Sequence, residues 1–114
     1  MPRIYHNPRC STSRKALEAL QATGRPVEVV EYLQALPSRD ELRALIRAAG
    51  LTVREALRPK ESVYADLGLA DASLTDEQLL DAIERHPILL NRPFVVTDKG
   101  TRLCRPFETL QEIL

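Results

Sequence analysis

The first 32 residues carry two short apolar runs on either side of a helical pattern. Ile4-Tyr5 predicts a strand, and residues 27–32 (Val-Glu-Val-Val-Glu-Tyr) predict a second strand rich in β-branched side chains. Between them, residues 10–24 predict a helix that Gly24 ends. The apolar face of this helix is formed by Ala16, Leu17 and Leu20. This order predicts two parallel strands joined by a crossover helix.

The middle of the chain is predicted to be helical because it contains three capping boxes, each a Ser or Thr followed three residues later by Glu or Gln. The three boxes are Ser38–Glu41, Thr52–Glu55 and Thr75–Gln78. The first predicted helix ends at Gly50 and the third at His86-Pro87. The second is short and stops near Arg58, because the residue before Pro59 is pushed away from helical geometry.

The last part of the chain predicts an antiparallel hairpin and a closing helix. Residues 94–97 and 101–105 are the two strands, with a turn at 98–100, and residues 106–114 form the helix. The complete order predicts an α/β chain with a thioredoxin-like fold. We expect a single domain over residues 1–114, with a four-stranded mixed sheet and a helical segment inserted between its strand pairs.

Composition narrows the class of protein. Lys+Arg and Asp+Glu balance at 16 each, and only five aromatic side chains are present, so the chain lacks the basic surface and stacking residues of a nucleic-acid binder. No stretch reaches the length of about 18 apolar residues that a membrane helix needs, and the first residues lack the apolar core of a signal peptide. The two cysteines are too few and too far apart for a disulfide-stabilised secreted domain. We therefore expect a cytoplasmic protein with free thiols and no membrane partner.

Cys10 is the leading candidate for a reactive group, since it lies where the first strand gives way to the first helix. Unpaired amides and the dipole at a helix start stabilise a thiolate and can also receive an anion. His6 and Arg9 could add to this effect. Cys10-Ser-Thr-Ser13 is a Cys-x-x-Ser sequence, so a resolving thiol has to come from elsewhere. The residue six positions after Cys10 is Ala16 instead of the arginine of cysteine phosphatases, which disfavours that class.

Two polar neighbours of Cys10 leave alternatives open. His6 is either a base or a structural hydrogen-bonding group that holds the loop. Ser13 either donates to the thiolate or caps the helix, and capping is slightly favoured. The second thiol, Cys104, lies in a predicted strand, where a packing role is favoured over a redox role.

Several segments resemble the glutaredoxin-coupled arsenate reductases, and they run over nearly the whole chain. These segments are Ile4-Tyr-His-Asn-Pro-Arg-Cys-Ser-Thr-Ser-Arg14, Tyr32-Leu33, Pro37-Ser-Arg-Asp-Glu-Leu42, Leu57-Arg58, Leu67-Gly-Leu-Ala70, His86-Pro-Ile-Leu-Leu-Asn-Arg-Pro-Phe-Val-Val-Thr97 and Gly100-Thr-Arg-Leu-Cys-Arg-Pro106. The opening Tyr-His-Asn-Pro-x-Cys and the Asn-Arg-Pro and Cys-Arg-Pro segments are the most specific. The chain ends at Leu114, soon after Cys-Arg-Pro, where the best-known members continue for a further helical tail, so the resemblance is to a short form.

The resemblance implies a set of roles. Cys10 would attack arsenate, and Arg58, Arg92 and Arg105 would hold its oxygens, which suits the forked geometry of guanidinium groups. Pro93 would be a cis-proline facing the cysteine, although composition alone makes it an ordinary proline at a strand start. The implied co-substrate is glutathione, with glutaredoxin resetting Cys10, and no metal or bound cofactor is required.

Two other classes share this fold and remain open. Some related proteins are redox-responsive regulators that bind RNA polymerase, and these usually carry Cys-x-x-Cys and lack the three arginines together. A plain thiol-disulfide oxidoreductase would need Cys10 but not the arginines. Fold alone does not decide between these functions.

Overall fold

The computed structural model describes all residues from 1 to 114. The strands are β1 (Arg3–Tyr5), β2 (Glu28–Val30), β3 (Phe94–Thr97) and β4 (Gly100–Leu103). The α-helices are α1 (Ser11–Gln21), α2 (Arg39–Ala48), α3 (Ser62–Asp66) and α4 (Asp76–Arg85). Short 3₁₀ helices cover Arg54–Ala56, Pro87–Leu89 and Phe107–Glu112.

The four strands form one mixed sheet in the order β2-β1-β3-β4. β1 is parallel to β2 and antiparallel to β3, and β3 is antiparallel to β4. Ile4 in β1 lies between Val29 of β2 and Val95 of β3. The predicted crossover pair, hairpin and inserted helical segment are therefore confirmed.

The sheet separates two apolar clusters because side chains alternate between its faces. Tyr5 and Phe94 belong to the larger cluster of 16 buried residues, which α2 and α4 cover. Ile4 and Val95, one position away in each strand, belong to a smaller cluster of seven together with side chains of α1. Helix α1 thus packs against the face of the sheet opposite the inserted helices.

The three predicted capping boxes differ in how fully they form. Thr75 and Gln78 bond each other's backbone N–H groups at the start of α4, and Thr52 and Glu55 do the same before the turn at Arg54–Ala56. Ser38 accepts from the N–H of Glu41 at 3.2 Å. The Glu41 carboxylate instead accepts from the buried Tyr5 hydroxyl at 3.0 Å, so this box is half made and the helix is tied to the sheet.

The closing segment was expected to be an α-helix and is a 3₁₀ helix instead. Its backbone bonds span three residues, as from the N–H of Ile113 to the carbonyl of Leu110 at 3.1 Å. Side chains three apart eclipse in a 3₁₀ helix, and Phe107, Leu110 and Ile113 have that spacing and all pack on the smaller cluster.

Two predicted strands are too long. The second was predicted over residues 27–32, but pairing covers only β2, and Tyr32 is fully buried in the turn that follows it. The fourth was predicted to reach Arg105, but β4 ends at Leu103. Pro106 has no N–H group to extend the ladder, so Cys104 and Arg105 lie just beyond the strand.

No helix of the chain is both long enough and apolar enough to cross a membrane.

Candidate active site

Cys10 is the N-cap residue of α1, directly after the loop that leaves β1. Its backbone is extended, with φ −94° and ψ 121°, and its carbonyl accepts the first helical hydrogen bond from Arg14 at 3.0 Å. The thiol is partly exposed, and no carboxylate lies in the first turn of the helix. The amides of this turn therefore face a thiol that solvent and reactants can reach.

Arg105 is the cation that contacts Cys10. Its Nη1 lies 3.4 Å from Cys10 Sγ and donates to the backbone carbonyl of Arg92 at 3.1 Å. Burial raises the pKa of the Cys10 thiol, but the backbone N–H of Ser13, the Arg105 guanidinium and the N–H of Thr12 outweigh it, so the pKa is lowered overall. The thiolate is the favoured nucleophile at this position.

His6 and Arg9 do not supply the positive charge that the sequence suggested they could. Arg9 is exposed, and Arg105 is the arginine at the thiol. Burial is the main cause that lowers the pKa of His6, so its imidazole is mostly uncharged at neutral pH.

The His6 ring and the Ser13 hydroxyl form a buried pair. His6 Nδ1 lies 2.7 Å from Ser13 Oγ, which also accepts from the N–H of Asn7 at 3.1 Å. Ser13 is completely buried and makes no capping bond in α1. Neither alternative considered for Ser13 is observed, because its hydroxyl joins the helix to the preceding loop instead of meeting the thiol or capping the helix.

Arg58 and Arg92 meet at one carboxylate, that of Glu61. Arg92 Nη2 donates to Glu61 Oε1 at 2.9 Å, and Arg58 Nε lies 3.3 Å from the same oxygen. Arg92 is nearly buried, and its Nη1 also donates to the carbonyl of Ile88 at 3.1 Å. We call Arg58, Arg92 and Arg105 the arginine cluster. Its members are connected through Glu61 and through the contact of Arg105 with the Arg92 carbonyl.

Three buried donors around this cluster have no hydrogen-bond partner. They are Asn7 Nδ2, Arg58 Nε and Arg92 Nε; Arg58 Nε has only its ion-pair contact with Glu61, which does not meet hydrogen-bond geometry. Buried polar groups are nearly always paired, and leaving one unpaired costs about 1–3 kcal/mol. The arginine cluster therefore has hydrogen-bonding capacity that an anion could use.

Tyr32 is a site residue that sequence reasoning did not single out. It is fully buried, and its hydroxyl donates to the carbonyl of Leu90 at 3.3 Å. Burial, the largest cause, raises its pKa to about 12, and the charges of Arg92, Cys10 and Glu61 also act on it. The phenol is therefore uncharged at neutral pH, and it lies close enough to Cys10, Arg92 and Glu61 for their charges to act on it.

The peptide bond between Arg92 and Pro93 is cis, and so is the bond between Arg105 and Pro106. Pro93 directly precedes β3, and its carbonyl accepts from the N–H of Cys104 at 2.8 Å. Two arginines of the cluster thus each precede a proline at the same end of the β3–β4 hairpin.

Cys104 faces the smaller apolar cluster and has no solvent exposure. Burial raises the pKa of its thiol to about 12, so it is protonated at neutral pH. It lies just past β4, whereas the sequence predicted that it lies within a strand. No group of three His, Cys, Asp or Glu side chains is placed to hold a metal ion.

Comparisons with known proteins all point to one family, and the matches cover nearly the whole chain. The model of the ArsC family matches residues 5–113. An arsenate reductase of Rhizobium meliloti is 59% identical over 111 residues, which is 97% of this chain and 79% of that protein. An arsenate reductase of Escherichia coli K12 is 50% identical with the same coverage. The solved structure of an arsenate reductase from Vibrio cholerae superposes with a TM-score of 0.92 at 43% identity, covering 99% of this chain and 97% of that one.

Proposed function

The chain belongs to the ArsC family, and from that membership we infer that it is an arsenate reductase, with Cys10 as the nucleophile. One observation carries the assignment of roles, namely the 3.4 Å contact between Arg105 Nη1 and Cys10 Sγ beside two further arginines that have unused N–H groups. A thiolate and several fork donors are what attack on a tetrahedral oxyanion requires.

Each arginine of the cluster has a distinct task in this proposal. Arg105 stabilises the thiolate before reaction and one oxygen of arsenate during it. Arg58 and Arg92 hold other oxygens with their guanidinium groups, whose Nε atoms make no hydrogen bond in the free protein. These contacts strengthen as negative charge builds on the oxygens in the transition state, so they accelerate the reaction as well as bind the substrate.

The reaction proceeds through two thiols. The Cys10 thiolate forms a bond to arsenic, and one arsenate oxygen leaves as water after taking up protons. The thiolate of glutathione then forms a disulfide with Cys10, while the As–S bond breaks and its electron pair stays on arsenic, which leaves as arsenite. Glutaredoxin cleaves the mixed disulfide and returns Cys10 to the thiolate.

His6 and Ser13 act by positioning in this proposal. The Ser13 hydroxyl joins Asn7 and His6 to the first turn of α1, which fixes the loop that presents Cys10. Pro93 holds the start of β3 next to Arg92. Since the reaction depends on a free Cys10 thiol and on a reducing partner, we place it in the cytoplasm.

The experiment that tests these roles compares two reactions of the same thiol. Arg58→Ala and Arg92→Ala should each lower catalytic efficiency toward arsenate about 10- to 100-fold, because a charge-assisted contact is worth roughly 1.5–3 kcal/mol. Reaction of Cys10 with a neutral disulfide should change little. Arg102→Ala is the matched control, since Arg102 pairs with Glu112 on the surface.

Arg105→Ala is not used in this comparison, because Arg105 touches the sulfur of Cys10 and its loss would affect both reactions. A plain disulfide oxidoreductase or a redox regulator does not act on arsenate, so neither class requires Arg58 or Arg92 as an anion-binding residue. Equal loss in both reactions, or no loss in either, would therefore contradict the roles given to the two arginines.

A further inference from the structure

Glu61 places a negative group among residues that are expected to bind an anion. Its carboxylate contacts Arg58 and Arg92, and its side chain is 23% exposed. It also precedes α3 as the N-cap residue, yet its carboxylate makes no capping bond there. The side chain is thus committed to the arginines instead of to the helix that it begins.

The two carboxylate oxygens of Glu61 are used differently. Oε1 meets both Arg92 Nη2 at 2.9 Å and Arg58 Nε at 3.3 Å. Oε2 takes part in no hydrogen bond or ion pair, and it is not among the buried unpaired atoms. An acceptor therefore remains open on the side of the carboxylate that the arginines leave free.

We propose that Glu61 Oε2 accepts a hydrogen bond from an O–H group of the bound oxyanion, and that it thereby selects protonated tetrahedral anions over sulfate. This inference deepens the proposed function and rests on it. Glu61 would be a specificity-determining residue of the same site.

The chemistry of the anions supports this role. At neutral pH, arsenate and phosphate each keep at least one acidic proton, whereas sulfate has none. An ionised carboxylate is an acceptor only, so it can bond an O–H group but faces a bare anionic oxygen with repulsion and no proton to share. Specificity is a difference between two affinities, so repulsion of sulfate contributes to it just as attraction of a protonated anion does.

The same contacts would also fit a residue that only holds the two arginines in place, and the test has to separate these roles. Glu61→Gln does so because its amide oxygen can keep the bond from Arg92, while its NH₂ group replaces the acceptor Oε2 with a donor. Binding is measured by calorimetry with arsenate and with sulfate, in a Cys10→Ser background that prevents covalent reaction. Glu28→Gln is the control, since Glu28 pairs with Arg3 at the opposite end of β1 from Cys10.

The expected result is a change in the ratio of the two affinities. Glu61→Gln should tighten sulfate and weaken arsenate, so that the preference for arsenate falls by about tenfold or more, as expected when a charge-assisted hydrogen bond is exchanged for a mismatch. Glu28→Gln should leave the preference unchanged. If Glu61→Gln changes both anions by the same factor, or changes neither, the residue only positions the arginines and the proposal is overturned.

A second measurement needs no change at position 61 and so stands if that variant fails to fold. Monofluorophosphate has nearly the shape of hydrogen phosphate and the same charge, but fluorine replaces the hydroxyl. The protein with Glu61 intact should bind phosphate about tenfold more tightly than monofluorophosphate. Equal binding would overturn the role of Glu61 alone, whereas an absence of binding by arsenate, phosphate and sulfate would contradict the proposed function itself.

Discussion

The thiol at position 10 depends on a side chain 95 residues away in the chain, because Arg105 closes on its sulfur at 3.4 Å. The amides of Thr12 and Ser13 add to this effect from within the helix. The helix start was visible in the sequence. The sequence did not show which cation contacts the Cys10 thiol, because the candidates nearest in sequence, His6 and Arg9, do not have that role.

The pH dependence of alkylation measures this effect directly. The rate of reaction of Cys10 with iodoacetamide should have its midpoint below the free-thiol value of about 8.5. Arg105→Gln should move the midpoint upward, because it removes the cation at Sγ while the helix amides remain. Arg102→Gln is the control and should not move it. A midpoint at or above 8.5 in the unaltered protein would show that the site does not activate its thiol.

The buried pair of His6 and Ser13 makes a stability prediction. Ser13→Ala should lower the free energy of unfolding by about 2–3 kcal/mol, because it leaves His6 Nδ1 and the Asn7 N–H without a partner in a buried place. Urea unfolding of the two proteins measures the difference. Ser11→Ala on the same turn is the exposed control, and a similar small loss in both variants would contradict the structural role of Ser13.

Residue by residue, the sequence was informative where chemistry is local. Cys10 could be assigned from its position at a helix start, and the three arginines entered through the family resemblance. Glu61 carried no signal, since a glutamate three residues after an arginine is common on surface helices. Only the fold brings Arg92 to the same oxygen.

At the scale of elements, caps and turns were predicted better than lengths. All three Ser or Thr caps lie where a helix or a turn begins, because capping is decided within four residues. The extent of β2 and β4 depended on which partners the strands find. The type of the closing helix could not be predicted, because apolar side chains three residues apart fit a 3₁₀ helix and, in part, an α-helix as well.

The complete capping box of α4 gives an element-scale prediction. Thr75→Ala removes the acceptor for the N–H of Gln78, so we expect a loss of about 1 kcal/mol in the free energy of unfolding with arsenate turnover unchanged. Chemical unfolding and a turnover assay on the same sample check both parts. Thr75→Ser keeps the hydroxyl and should restore most of the stability; failure to do so would show that the loss has another cause.

The molecule as a whole buries several titratable groups in their uncharged forms, among them His6 and Cys104, and its stability should fall at both ends of the pH range. Burial lowers the pKa of His6, so the unfolded chain takes up a proton near pH 6.5 that the folded chain resists, and stability decreases as the pH falls below that value. Burial raises the pKa of Cys104 to about 12, so the unfolded chain loses a proton first as the pH rises, and stability decreases above about 8.5.

A comparison with Cys104→Ala isolates the alkaline effect, because all other groups are shared. The variant should be less stable at pH 7 by about 1–2 kcal/mol through lost packing in the smaller cluster. This deficit should shrink as the pH rises past 8.5, by at most about 1.4 kcal/mol per unit. Its Tm and unfolding curves from pH 6 to 10 test this, and a deficit that stays constant would contradict the burial of an uncharged thiol.

The whole-molecule topology followed from the sequence because the order of elements restricts a mixed four-stranded sheet to few arrangements. The site followed less completely, because it is assembled where the loop after β1, the segment before α3, the residues before β3 and the residues after β4 meet. Those segments are separated by up to 95 residues, and the arginine–carboxylate contact among them could not be read from any one of them.

The central claim, that Cys10 reduces arsenate with an external thiol, is tested most directly by following NADPH oxidation in a mixture of the protein, arsenate, glutathione, glutaredoxin and glutathione reductase. We expect consumption that requires arsenate, that persists in Cys104→Ala and that is absent in Cys10→Ser. If the unaltered protein exchanges its Cys10 with disulfides but consumes no NADPH in response to arsenate, the account is contradicted.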